Sequence, residues 1–420
     1  MKSFLSLSAL LALGLVGCSE SKEDEDEAVV FTVTVENVSG ANELAESGVF
    51  NTPADADEPG PLLPGSEYVF EFSAGPGQRL SFATMFVQSN DWFVATAEEG
   101  FELFDDEGEP HLGDIARELL VLDSGTEADE TPGEGENQAP RQDGPDSGPS
   151  DPDDEVRLVS LDAEDYVSAN LEMMGEHEFR LTLLNISDSS DIETPFAPGV
   201  YAIHTSGMPL FELGEPDAQE GLEALAEDGD PSGLADILSE RTGLQTPFAP
   251  GVYVAHAGEN PIFARGEVDF GEGLEALAED GDPSALADSL SGYESSGAFN
   301  TPEGEDEPGP LFPGQSYSFS VQARPGEMLS FATMVVQSND YFVGARESGF
   351  ELFEDGEPVE GNIPLYVYDG GTEVDQPLGL GSDQAPRQSG PDTGKSEDEA
   401  VERVSLEADS LVRVTLEVAE

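Results

Sequence analysis

Some acids of this 420-residue chain recur at matching places, which points to one kind of chemistry. Asp91 lies in SFATMFVQSNDWF (81–93), and Asp340 in SFATMVVQSNDYF (330–342), where eleven of thirteen positions are identical. Asp123 and Glu127 flank Ser-Gly-Thr, and Asp369 and Glu373 flank Gly-Gly-Thr. Two carboxylates four residues apart on a tight turn can face one hard divalent cation. Calcium takes six to eight oxygens, drawn from carboxylates, carbonyls and water. Gly125 and Gly371 would permit the turn. The plainer reading is that Asp91 and Asp340 close Asx-turns and that the Glu residues belong to the general acidity.

Acids placed this way need strands to deliver them, and the periodicity is mostly that of strands. Phe31, Val33 and Val35 alternate with polar residues, as do Tyr68, Phe70 and Phe72, then Phe179, Leu181 and Leu183. Tyr317, Phe319 and Val321 repeat the pattern, and Val412 to Val418 close with it. One apolar face at period 2 suits an antiparallel sandwich. FNTP, SFATM, QSND and GFELF return at an offset of 249, and QAPRQ at an offset of 246. A smaller unit, TPFAPGVY followed by GLEALAEDGDPS, occurs twice at an offset of 52. Leu222, Leu225 and Ala226 fall at helical spacing, Asp230-Pro231 offers a helix start, and Leu234, Ile237 and Leu238 follow. Each small unit should therefore hold two short helices.

These patterns predict a mainly β protein of two antiparallel sandwich domains, the second with short inserted helices. The linear division is a signal peptide at 1–17, an acidic tether at 18–28, a shortened first domain at 29–172 and a second at 176–420. The second would carry the tandem small units at 194–238 and 246–290, with a short link near Met173 to Glu176. The Gly/Pro/Asp-rich runs at 130–154 and 376–398 share motifs, so they read as ordered long loops.

With 90 Asp+Glu against 15 Lys+Arg, the net charge of -75 excludes nucleic acid as a partner. Acids spread along the whole chain read first as a salt-adapted, halophilic surface, where screening removes self-repulsion. The sole cysteine, Cys18, ends MKSFLSLSALLALGLVGC, a charged start followed by an apolar stretch and small residues. Leu15 to Cys18 resembles the bacterial lipobox, in which the chain is cut before a cysteine that becomes lipidated. Ser19 is similar to the sorting residue of lipoproteins sent to the outer membrane. The expectation is a membrane partner through a lipid anchor at Cys18, with the protein periplasmic or surface-exposed. No later segment reaches the ~20 apolar residues of a membrane span.

The motifs SFATMFVQSNDWFV (81–94), LLVLDSGTEAD (119–129), EGLEALAEDGDP (220–231) and their repeats resemble the spondin N-terminal domain, found in F-spondin, mindin and many bacterial lipoproteins. The resemblance implies a C2-like β-sandwich with calcium in loops at one end. Carried over, the ligands would be Asp91, Asp123 and Glu127 in the first copy and Asp340, Asp369 and Glu373 in the second. The third ligand departs from the Asp of animal spondins. The family also implies surface recognition or adhesion, with a surface glycan or protein as ligand.

Trp92 and Tyr341 should pack against the sandwich end, and Arg141 and Arg387 should pair with carboxylates. His204 and His256 read as structural. Acid pairs can in principle support glycoside hydrolysis. The chain lacks GxSxG, HExxH, a P-loop and CxxC, so it reads as a binder rather than an enzyme. A non-binding surface spacer is the alternative, with a carboxylate-dependent hydrolase behind it.

Overall fold

The computed structural model describes residues 28–105, 107–175, 177–217 and 221–419. Cys18, the leader and most of the tether lie outside them.

Two similar bodies are built, each of three layers, and every pairing between named strands is antiparallel. In sandwich I a four-stranded sheet runs in the order Glu67–Ser73, Glu178–Asn185, Val167–Gly175, Gly113–Asp114. It faces a larger sheet ordered Leu44–Phe50, Phe196–His204, Arg79–Phe86, Trp92–Thr96, Leu119–Asp123, Arg157–Asp162. Their alternating residues meet in an aromatic core in which Phe50 and Phe70 stack at 4.8 Å and Phe72 and Phe179 at 5.6 Å. The strands Val167–Gly175 and Arg79–Phe86 show why the two sheets read differently. The first alternates between core and surface, whereas the second is buried on both faces because a third layer covers it.

That third layer is the helix pair. α1 (Leu222–Asp228) and α2 (Ser232–Glu240) bury Leu222, Leu225, Leu234 and Leu238 against Ala83, Phe93 and Val200 of the large sheet. Asp230 Oδ1 accepts the Ser232 N–H at 3.0 Å, as expected of a helix start. Between them Gly229 adopts φ 67°, and a Cβ there would stand 2.5 Å from the Ala197 methyl. α3 (Leu274–Asp280) and α4 (Ser284–Ser289) repeat the arrangement on sandwich II.

The sheets do not follow the linear division 29–172 and 176–420. Strand Val29–Asn37 lies in sandwich II, between Ser316–Ala323 and Val412–Val418. Strand Glu178–Asn185, expected to open the second domain, holds the same place in sandwich I. Of the supposed link near Met173 to Glu176, residues 173–175 lie in strand Val167–Gly175, which pairs with Glu178–Asn185 in one sheet, and Glu176 lies outside the described residues. The first small unit packs on sandwich I and only the second on sandwich II, so each body has one. The two strands share one alternation, so the pattern leaves their partners undetermined.

Two connections cross between the bodies side by side. Leu44 N–H donates to Arg241 O at 3.0 Å, and Gly243 N–H donates to Leu44 O at 2.9 Å. Buried Asn37 donates from Nδ2 to Thr246 O and Leu311 O, each at 2.9 Å, while its Oδ1 accepts from Ser39. Asn185 and Ser187 rebuild this knot in sandwich I, on Leu62 O and Thr194 O.

Candidate metal centre

Strand register brings the recurrent acids together. Trp92 pairs with Asp123 and Tyr341 with Asp369, so the Asp preceding each aromatic lands beside the next strand's turn. Gly125 (φ 77°) and Gly371 (φ 68°) make that turn. A Cβ on either would lie 2.5 or 2.6 Å from the carbonyl of Glu155 or Glu399.

In sandwich II, oxygens of Asp340, Asp369 and Asp375 all lie within 4.8 Å of one another. Asp340 is fully buried. Its Oδ2 accepts the N–H groups of Thr372 at 2.8 Å and Glu373 at 3.1 Å, but its Oδ1 has no partner. Asp369 Oδ1 accepts Gly371 N–H at 2.8 Å, and Asp375 Oδ2 accepts the Tyr341 hydroxyl at 2.9 Å. Burial, then the Asp369 charge, pushes the Asp340 carboxyl up to about 7; burial also raises Asp369 and Asp375. No cationic side chain bonds to any of the three, among the described residues. A buried carboxylate with an unpartnered oxygen is costly unless it is protonated or meets a cation.

Sandwich I holds the same acids but supplies its own cation. Asp91 is fully buried, its Oδ2 accepts Glu127 N–H at 3.1 Å, and its Oδ1 has no partner. Asp123 accepts Trp92 Nε1–H at 3.1 Å and Gly125 N–H at 2.8 Å. Arg157 then reaches in. Its Nη2 lies 3.1 Å from Asp123, 3.5 Å from Asp129 and 2.8 Å from Asp151. Burial raises both Asp91 and Asp123, and the guanidinium opposes that rise in each. Arg157 pairs with Asp123 in the sheet; the residue opposite Asp369 is Glu402, which Arg265 engages instead at 3.0 Å. One substitution at a matched position therefore puts a guanidinium beside Asp123 and none beside Asp369, while the buried Asp91 Oδ1 stays unpartnered like Asp340 Oδ1.

Glu127 and Glu373, the expected third ligands, stand outside the cluster, where Asp375 joins Asp340 and Asp369. Glu127 and Glu373 turn their carboxyls away toward the next loop. Glu127 Oε1 accepts Gly148 N–H at 2.6 Å, and Glu373 abuts Gly394, where a Cβ would collide with its carboxyl. Their backbone N–H groups still serve Asp91 and Asp340. Asp129 and Asp375 were legible in DSGTEAD and DGGTEVD, which both end in Asp.

Other expectations resolve on nearby contacts. Trp92 is half-buried against Phe86, and both loop aromatics donate to site acids. Arg141 and Arg387 bind no carboxylate among the described residues. They donate to Gly135 O and Gly381 O at 2.6 and 2.7 Å and to Gln88 and Gln337 of the QSND loops, tying the long loops down. His204 and His256 each meet a serine, Ser81 or Ser330, at 2.8 Å. Both His–Ser pairs are buried in the interior. No protein-family model matches the chain, and no curated protein matches it.

Proposed function

We propose that this chain is a lipid-anchored, extracytoplasmic calcium-binding protein of the spondin type, working as a surface recognition or adhesion module. The observation that carries the calcium reading is the buried, unpartnered Asp340 Oδ1 beside Asp369 and Asp375, with no basic side chain bonded to these acids among the described residues. Asp340, Asp369 and Asp375 would hold the ion, and water or backbone carbonyls would fill the remaining positions that calcium requires. The ion neutralises three carboxylates and so fixes the loop that Asp340 ends to the turn that Asp369 starts. In sandwich I the Arg157 guanidinium does that work, so this type of site takes one calcium per chain. The recognition role rests on the resemblance of the motifs to spondins, and the anchor on Cys18 and its leader.

Terbium is a calcium-sized probe that emits when a bound aromatic is excited. Tyr341 donates to Asp375, so excitation of tyrosine in the full chain should give sensitised emission that calcium displaces. The variant Asp340→Asn/Asp369→Asn should lose that emission. Emission unchanged in the variant would remove the assignment.

A further inference from the structure

A second set of acids is also duplicated, and the triads above do not use it. Glu223 and Glu227 lie one turn apart on α1, and Asp146 comes from the long loop beyond Gln142. Oxygens of the three lie within 4.8 Å of one another. In sandwich II the matching residues Glu275, Glu279 and Asp392 do the same. Glu227 is 2% exposed and Glu279 is 5% exposed, so each hollow has a buried carboxylate at its floor and exposed carboxylates at its mouth. Like charges at this helical spacing repel.

The decisive feature is an orphaned acceptor in sandwich I: buried Glu227 leaves Oε2 without a hydrogen-bond partner. In the other body the half-buried Asp269, which lines the hollow of Glu279 without belonging to its acid trio, leaves Oδ1 without one. Neither hollow has a lysine or arginine in its lining. A buried carboxylate oxygen without a donor, facing further carboxylates, requires a cation or a proton.

The loop that brings the aspartate is itself held to the helix. Gln142 Nε2–H donates to Asp228 at 2.7 Å, and Gln388 Nε2–H donates to Asp280 at 3.0 Å. These are the last residues of the two QAPRQ motifs, while the Arg of each motif grips the QSND loop. QAPRQ thus clasps the loop against both neighbours and sets Asp146 or Asp392 over the helix carboxylates.

We infer that each sandwich carries a second site for a hard divalent cation of the calcium class, formed by Glu223, Glu227 and Asp146 in sandwich I and by Glu275, Glu279 and Asp392 in sandwich II. The open mouth leaves the rest of the coordination shell to water, so the site is a shallow one, at the weak end of extracellular calcium modules. The inference stands apart from the triad reading, because it uses none of the triad's residues.

The test is calcium titration calorimetry on the full chain at about 1 M KCl, where exposed charges are screened beyond ~3 Å. The Asp340→Asn/Asp369→Asn variant, which lacks the triad, should still bind two calcium ions. Adding Glu227→Gln and Glu279→Gln should abolish both. Glu223→Gln/Glu275→Gln, exposed positions that cannot disturb the core, should weaken both at least tenfold and decide the matter if the buried variant misfolds. Calcium binding unaltered by Glu223→Gln/Glu275→Gln, or absent from the triad-less variant, overturns the inference. If the triad reading alone fails, Asp340→Asn/Asp369→Asn leaves the ion count of the wild type unchanged while the glutamate variants still lower it.

Discussion

Replacing Arg157 by glutamine should convert the closed site of sandwich I into a metal site. In the native protein its guanidinium faces Asp123, Asp129 and Asp151, with Asp91 and Asp123 both buried. Removing one partner of a buried ion pair costs about 3–5 kcal/mol. The arginine side chain keeps 32% exposure, so water already screens part of the attraction, and a loss of about 2 kcal/mol is expected. For a body of this size each kcal/mol moves the melting midpoint by about 2–4 °C, so sandwich I should melt ~4–8 °C lower in chelator at pH 8. Calcium at a hundred times its dissociation constant should return about 2.7 kcal/mol and restore the midpoint. Trp92, the only tryptophan, donates to Asp123, so it reports on sandwich I. With Glu223→Gln present to weaken the hollow on α1, terbium emission sensitised by tryptophan should rise clearly when Arg157→Gln is added. A variant that melts unchanged in chelator, or that loses stability without recovering it in calcium, refutes the stand-in role of the arginine.

Three further outcomes follow from the site and from the strand exchange. Asp340 keeps its proton up to about pH 7, whereas the unfolded chain releases it near 4, so without metal the folded state holds the extra proton across that window. Metal-free stability should therefore fall as pH rises from about 4 to 7. Calcium affinity at the triad should climb about tenfold per pH unit over the approach to 7 and then level off; calorimetry giving one affinity from pH 5 to 8 would sink this. Val33 is fully buried in sandwich II although it stands near the start of the sequence. Val33→Asp should expose residues 246–418 to limited proteolysis while residues 44–240 persist, and the reverse pattern would refute the strand exchange.

Much of this was legible beforehand because it is local. Period-2 alternation set the strands, Leu222, Leu225 and Leu234 set the helices, and Asp-x-Gly-Thr set the turn. Asp340 and Asp369 come together through the pairing of strands Tyr341–Gly344 and Tyr366–Asp369, each of which carries its acid at one end. What escaped the sequence were choices between equivalents. Phe31-Val33-Val35 and Phe179-Leu181-Leu183 fit either sandwich, and only the three-dimensional path of residues 37–44 and 241–248 decides between them. Glu373 and Asp375 both lie on the turn, and it is the room left by the missing side chain of Gly394 that receives the Glu373 carboxyl. The role of Arg157 escaped for a related reason. Its position is informative only once it is known to stand opposite Asp123 across two strands.

The place of strand Val29–Asn37 also governs the order in which the molecule can be made. Sandwich I is assembled from residues 44–240 and can close while the rest is still being synthesised. Sandwich II waits. Its second strand in the four-stranded sheet is the first made, and the Arg413–Glu36 ion pair closes a span of 377 residues. Such distant pairing is slow to find, since the entropy of a very large loop is lost before any contact is gained. Until Ser316–Ala323 and Val412–Val418 arrive, the leading strand offers two open edges, and Lys and Pro, the usual guards of such edges, are absent from it. The charge of -75 then has a use during biogenesis, keeping neighbouring nascent chains apart while that strand lies unpaired.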